Sequence, residues 1–99
     1  MNKSEIENRY AWQFRGGRGI DNCVPQEWLP VVENLCQAID KITPQMERPS
    51  FYWRDIKEKR GELAVDYVAP TALNDVIENL VDAATAQVAR MDEKGASSV

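Results

Sequence analysis

Between Phe51 and Val68 the spacing of apolar side chains falls to two residues, and one glycine, Gly61, interrupts the run. Leu63, Val65 and Tyr67 alternate with Ala64, Asp66 and Val68; before the break, Tyr52 and Ile56 alternate with Trp53 and Asp55. Two alternating segments joined at Arg60-Gly61 read as a β-hairpin, with a bulge expected near Lys59 and Ala69-Pro70 stopping the second strand. No other segment has this period, so the hairpin is the whole sheet. Two strands alone are marginal in water and must be covered by helices. That requirement sets the architecture of the rest of a 99-residue chain.

The remaining segments supply three helices. Ser4 with Glu7 three positions on has the form of a capping box, and Ile6, Tyr10 and Phe14 recur every four residues, so residues 4–14 read as one short helix. Arg15-Gly16-Gly17-Arg18-Gly19 ends it, because three glycines in four positions do not stay helical, and residues 15–26 are a loop. Trp28, Val32, Leu35, Ile39 and Ile42 form one stripe at 4-3-4-3 spacing, a second helix with Pro30 at its harmless start and Pro44 beyond its end. The last helix begins at Thr71 as N-cap, and Leu73, Ile77, Leu80, Ala84, Val88 and Met91 make its stripe. Gly95 is its expected stop, and Gly95 to Val99 a flexible tail. The expectation is a single α+β domain over residues 1–94, ordered α-α-β-β-α, with the long helices on one face of the hairpin.

That arrangement makes Tyr52, Ile56, Leu63, Val65 and Tyr67 the core set of the hairpin and leaves Trp53 on its uncovered face. Both edges of the sheet stay open. A homodimer through an edge or a helix face would close them.

Composition narrows the function. Charged residues make up 28% of the chain and hydrophobic ones 43%, with a net charge of −4, which is globular and too acidic for a nucleic-acid coat. No apolar run approaches a membrane span and Met1 to Tyr10 is polar, so a cytoplasmic location without membrane contact is expected. There, Cys23 and Cys36 are expected as free thiols, the latter a small core hydrophobe. Histidine is absent, which removes the commonest general base and the usual zinc ligand. There is no P-loop and no CxxC pair. The carboxylates Asp75, Glu78 and Asp82 form a row on the last helix, which reads as a solvated face. No catalytic residue, cofactor or metal ligand is therefore assigned, and an enzyme is not expected.

Charge is also polarised along the chain. Residues 1–60 hold ten basic and nine acidic side chains, residues 61–99 two and seven. Arg54, Lys57, Lys59 and Arg60 gather at the hairpin tip. Arg15 and Arg18 give one copy of an RGG-like element, with Tyr10, Trp12 and Phe14 just before it. Such aromatics can stack on bases beside arginines, but docking on a thin core is the expected role.

At the hairpin the sequence also resembles a family. Ile56-Lys57-Glu58-Lys59-Arg60-Gly61-Glu62-Leu63, followed by Val65 and Tyr67, is similar to the (V/I)-K-E-K-F-G-x-L-R-F-Y signature of small uncharacterised phage and prophage proteins. Tyr10 and Phe14 resemble that family's Y-P-x-L-F opening, Gly19-Ile20, Cys23 and Trp28 its G-I-x-C-G-x-G-W, and Leu35-Cys36 its L-I-x-x-L-C helix. The likeness spans residues 9–90. Arg60 stands where the family has phenylalanine, and the family's further cysteines and CxxC segment are missing, so no zinc role carries over.

The resemblance implies a phage or prophage origin and no known activity. The first expectation is thus a protein-interaction module, possible roles including inhibition of a host defence or transcription machine. Its partner-binding surface is placed on Trp53, Arg54, Lys57, Lys59 and Arg60, the host partner being unidentified. The alternative is a nucleic-acid-binding accessory protein using Arg15 and Arg18 with the hairpin tip.

Overall fold

The structure, a computed structural model, describes residues 2–97, with side chains described for residues 2–91. Its order is α-α-β-β-α with the first helix broken in two: α1 (Lys3–Arg9) and α2 (Ala11–Phe14), then α3 (Leu29–Ile42), β1 (Tyr52–Lys59), β2 (Glu62–Val68) and α4 (Asn74–Ser97). Short 3₁₀ turns precede α3 and α4 and join α3 to β1. Among the described residues the sheet is the antiparallel β1–β2 pair alone.

The expected first helix is two. Its capping box lies two residues earlier, where Asn2 Oδ1 accepts the Glu5 N–H at 2.8 Å and the Asn2 N–H donates to Glu5 Oε1. Glu7, freed from that role, accepts the Ile20 N–H at 2.8 Å and pins the following loop. Tyr10, at φ −114° and ψ 42°, breaks the helix. The break turns Gln13 inward, where it is fully buried while Phe14 is only half so.

In α3 the stripe holds as expected, with Val32, Leu35 and Ile39 buried and Trp28 beneath its first turn. Leu29, Val31 and Cys36 widen it. Thr71 does not cap α4: Thr71–Leu73 is a 3₁₀ turn entered from Pro70, without a side-chain cap. Ile77, Val81, Ala84 and Val88 form the buried stripe of α4. The helix passes through Gly95 to Ser97 instead of stopping at the glycine. Ser98 and Val99, the remainder of the expected tail, lie outside the described residues.

The hairpin closes in a two-residue turn. Lys59 lies opposite Glu62, and Arg60 and Gly61 both take positive φ, 57° and 82°. Two such residues give the type I′ geometry that matches strand twist. The irregularity expected near Lys59 lies instead between Trp53 and Asp55. One edge expected to be open is not. The loop before α3 runs along β1, its Arg18 N–H donating to Arg54 O at 3.2 Å and its Asp21 N–H to Ile56 O at 2.8 Å, with an Ile20–Ile56 bridge between.

Because a left-handed conformation strains any residue with a Cβ, Gly61→Val should cost about 1–2 kcal/mol, most for a β-branched side chain. Arg60→Asn should be neutral or slightly stabilising, since asparagine tolerates that region better than arginine. Denaturant melts of the two variants check both; equal losses would contradict the turn.

Candidate functional site

The bulge at Arg54 decides what the hairpin shows to solvent. Side chains alternate along a strand, so one extra residue moves everything before it to the other face. Beyond the bulge Ile56 faces inward as expected; before it, Trp53 faces inward and Tyr52 outward. Trp53 is fully buried and Tyr52 only half so. The expected assignment of these two residues is thus reversed, and Trp53 is no part of an exposed surface.

The buried tryptophan sits in an aromatic cluster. Its ring meets Phe51 edge-on at 5.2 Å and Tyr67 at 5.7 Å, and Trp12 meets Phe51 at 6.0 Å. Its indole N–H donates to Gln13 Oε1 at 2.9 Å, and Gln13 Nε2 donates to Cys36 O at 2.9 Å. Sequence reasoning missed Gln13, a polar residue with no pattern to mark it as core. Trp12 anchors the other side, its indole donating to Asp40 Oδ1 at 2.9 Å with the Arg48 guanidinium 4.6 Å above the ring. Tyr10, Trp12 and Phe14 accordingly pack on the core rather than standing free.

The outer face of the hairpin carries Tyr52, Arg54, Asp55, Lys57 and Lys59 from β1 and Glu62, Ala64, Asp66 and Val68 from β2. Arg54, Lys57, Lys59, Arg60, Glu62 and Asp66 are exposed. The basic cluster is interleaved with acids. Arg54 Nε lies 3.6 Å from Asp66 Oδ2 across the strands, and Lys57 Nζ 3.4 Å from Asp55 Oδ2. The face is therefore charge-paired and densely functionalised rather than uniformly basic.

Arg15 and Arg18 are not brought together as a pair of free cations. The Arg15 guanidinium donates to the carbonyls of Trp12 and Arg48, the latter at 3.0 Å. Arg18 is exposed. The glycines between them serve packing: a Cβ on Gly17 would fall 2.2 Å from Trp53 O, and one on Gly16 within 2.5 Å of the Tyr52 ring. The RGG-like element is a strap pressed onto β1.

Cys23 and Cys36 are both free thiols. Cys23 extends the strap, its exposed sulfur accepting the Glu58 N–H at 3.4 Å. Cys36 is fully buried, and desolvation pushes its thiol up to about 12. Asp75, Glu78 and Asp82 are all exposed. Burial raises the Tyr67 phenol above its ordinary value, and Glu78 and Asp82 add to that shift. Among the described residues no three carboxylates or thiols converge on a point that would hold a metal ion. No helix among them is long and apolar enough to cross a membrane. The chain matches no family model, no curated protein and no solved structure.

Three outcomes follow from the buried groups. Gln13→Met keeps the volume but leaves the indole N–H without an acceptor, which should cost about 1–3 kcal/mol; an unchanged denaturation midpoint would contradict the buried hydrogen bond. A thiol reagent should modify Cys23 in the native protein and Cys36 only after unfolding. Cys36 is neutral in the fold well above the pH at which it ionises when unfolded. Its contribution is therefore complete below about pH 9 and lost as the pH rises towards 12. Tyr10 and Tyr67 shift in the same direction. Thermal melts should fall across that range, less steeply in Cys36→Ala.

Proposed function

We propose that this protein is a non-catalytic protein-interaction module of phage or prophage type, acting on a host protein, and that it binds through the outer face of the hairpin at Tyr52, Arg54, Lys57, Lys59 and Arg60. The observation that carries the reading is the uncovered state of that face. The helices lie against the opposite side of the sheet, around Trp53, Ile56 and Leu63, and leave four long cationic side chains and a half-buried tyrosine to solvent. Tyrosine and arginine are enriched among residues that dominate binding energy. Paired charges of both signs favour an orientation-specific protein contact over a uniform polyanion. A host defence or transcription machine is the class of target the family resemblance supports. Two free thiols suit a cytoplasmic setting.

The nucleic-acid reading has weaker support, since Arg15 is engaged by backbone carbonyls and Arg54 and Lys57 by acids. The test is differential capture from host lysate by the wild-type protein and by Arg54→Glu/Lys57→Glu. Both sites are exposed and their ion pairs contribute little to stability, so the variant should melt as the wild type does. Loss of one captured protein from the variant is the expected result. Identical captures would overturn the surface. Binding of DNA or RNA at low salt that collapses as salt is added would move the function to nucleic acid.

A further inference from the structure

The fold closes one edge of the hairpin and leaves the other open. Along β1 the strap takes up Arg54 O, Ile56 O and the Glu58 N–H. In an antiparallel pair, two residues opposite each other turn their backbone groups either both inward or both outward. Val65 and Leu63 lie opposite Ile56 and Glu58, so their N–H and C=O groups also point out of the pair. β2 carries no extra residue, and Tyr67 follows by alternation. Among the described residues no hydrogen bond from outside the sheet reaches these groups. Small side chains flank the edge, where Thr85, Ala86 and Ala89 of α4 line a shallow open groove with Glu62 and Leu63. The charge beside it has one sign. From Gly61 to Ala89 the chain carries five acids and no base. Glu62 and Asp66 project from β2 onto the outer face, and Glu78 and Asp82 of α4 stand close enough to Tyr67 to raise its phenol. All four are exposed, and among the described residues only Asp66 has an ion-pair partner, Arg54.

We infer that the open edge of β2 docks an extended, basic segment of a partner protein, which adds to the hairpin as a further strand. The unpaired backbone groups fix the form of the occupant. A row of donors and acceptors at strand spacing is complemented by another extended backbone. The four carboxylates fix its charge, since they favour an approaching cation and repel an acid. A second copy of this chain fits poorly. Two-fold pairing of β2 with β2 would lay the two inner faces side by side and bring the Glu78 and Asp82 flank of one α4 against the same flank of the other. The edge shares no residue with the outer-face surface proposed above, so the two stand or fall separately.

Amide hydrogen exchange of the full chain, read by NMR, tests it. In the free protein the Val65 amide should exchange fast, while the Ala64 amide, which faces β1, is protected. A short probe peptide of alternating valine and lysine should slow exchange at Val65, and its valine–glutamate counterpart should not bind. Two analogues of the basic peptide, one N-methylated at every valine and one at every lysine, separate strand pairing from charge alone. Only one set of peptide N–H groups can face β2, so one analogue should lose binding and the other keep it. Glu78→Lys/Asp82→Lys changes two exposed side chains; it should melt close to the wild type and lose the basic peptide. A Val65 amide already protected in the free protein would overturn the inference, because the edge would then be covered by this chain or by a second copy. So would failure of the basic peptide to bind, equal binding of the two analogues, equal binding of the basic and acidic peptides, or an unchanged affinity in the double variant.

Discussion

An indole N–H buried away from water has to find an acceptor, and Trp53 finds Gln13. That single amide joins three elements. It sits on α2, accepts from β1, and donates to the carbonyl of Cys36 in α3. Leaving the N–H orphaned costs far more than the bond gains when made, so the helices and the hairpin have one mutual placement that satisfies all three groups. Phe51 and Tyr67 then pack round the indole edge-on, and Trp12 packs edge-on against Phe51 in turn. The aromatic cluster supplies the area that a two-stranded sheet cannot bury by itself, and the amide sets its register. The break at Tyr10 belongs to the same arrangement, because a continuous helix would present Gln13 elsewhere.

The bulge at Arg54 is the second half of that constraint. With it, Trp53 and Ile56 lie on the inner face although three residues apart; without it, they would point to opposite sides. The same shift sends Tyr52 outward, so the exposed face loses a tryptophan and gains a tyrosine flanked by Arg54 and Lys57. Core packing and the character of the proposed binding surface are set by one inserted residue.

The strap from Arg18 to Cys23 shows how a thin sheet is finished. An exposed strand edge invites pairing with other chains, and here the β1 edge is sealed by backbone hydrogen bonds and by the Cys23 sulfur, which takes the Glu58 N–H. Gly16 and Gly17 let the strap lie flush, since a side chain on either would enter Tyr52 or the β1 backbone. Arginines that look like a nucleic-acid element in the sequence are the flanks of this strap. One of them, Arg15, spends its donors on the carbonyls that tie α2 to the turn before β1.

Periodicity alone determined the α-α-β-β-α order, the α3 stripe, the turn at Arg60-Gly61 and the burial of Trp28 and Cys36, because each rests on contacts within a few residues or on one repeating face. Which face of β1 is inside was not legible. A bulge leaves no mark in an alternating pattern, and the indole's acceptor is forty positions away in sequence. The same holds for Gln13, whose burial exists only because Trp53 and Cys36 O converge on it, and for the strap, whose glycines read equally well as a flexible loop. The clustered cations of the hairpin were legible as residues, but the pairing of Arg54 with Asp66 across the strands depended on register. Local sequence sets what each segment prefers to be; the pairing of distant polar groups, each needing a partner once water is excluded, decided how the segments meet.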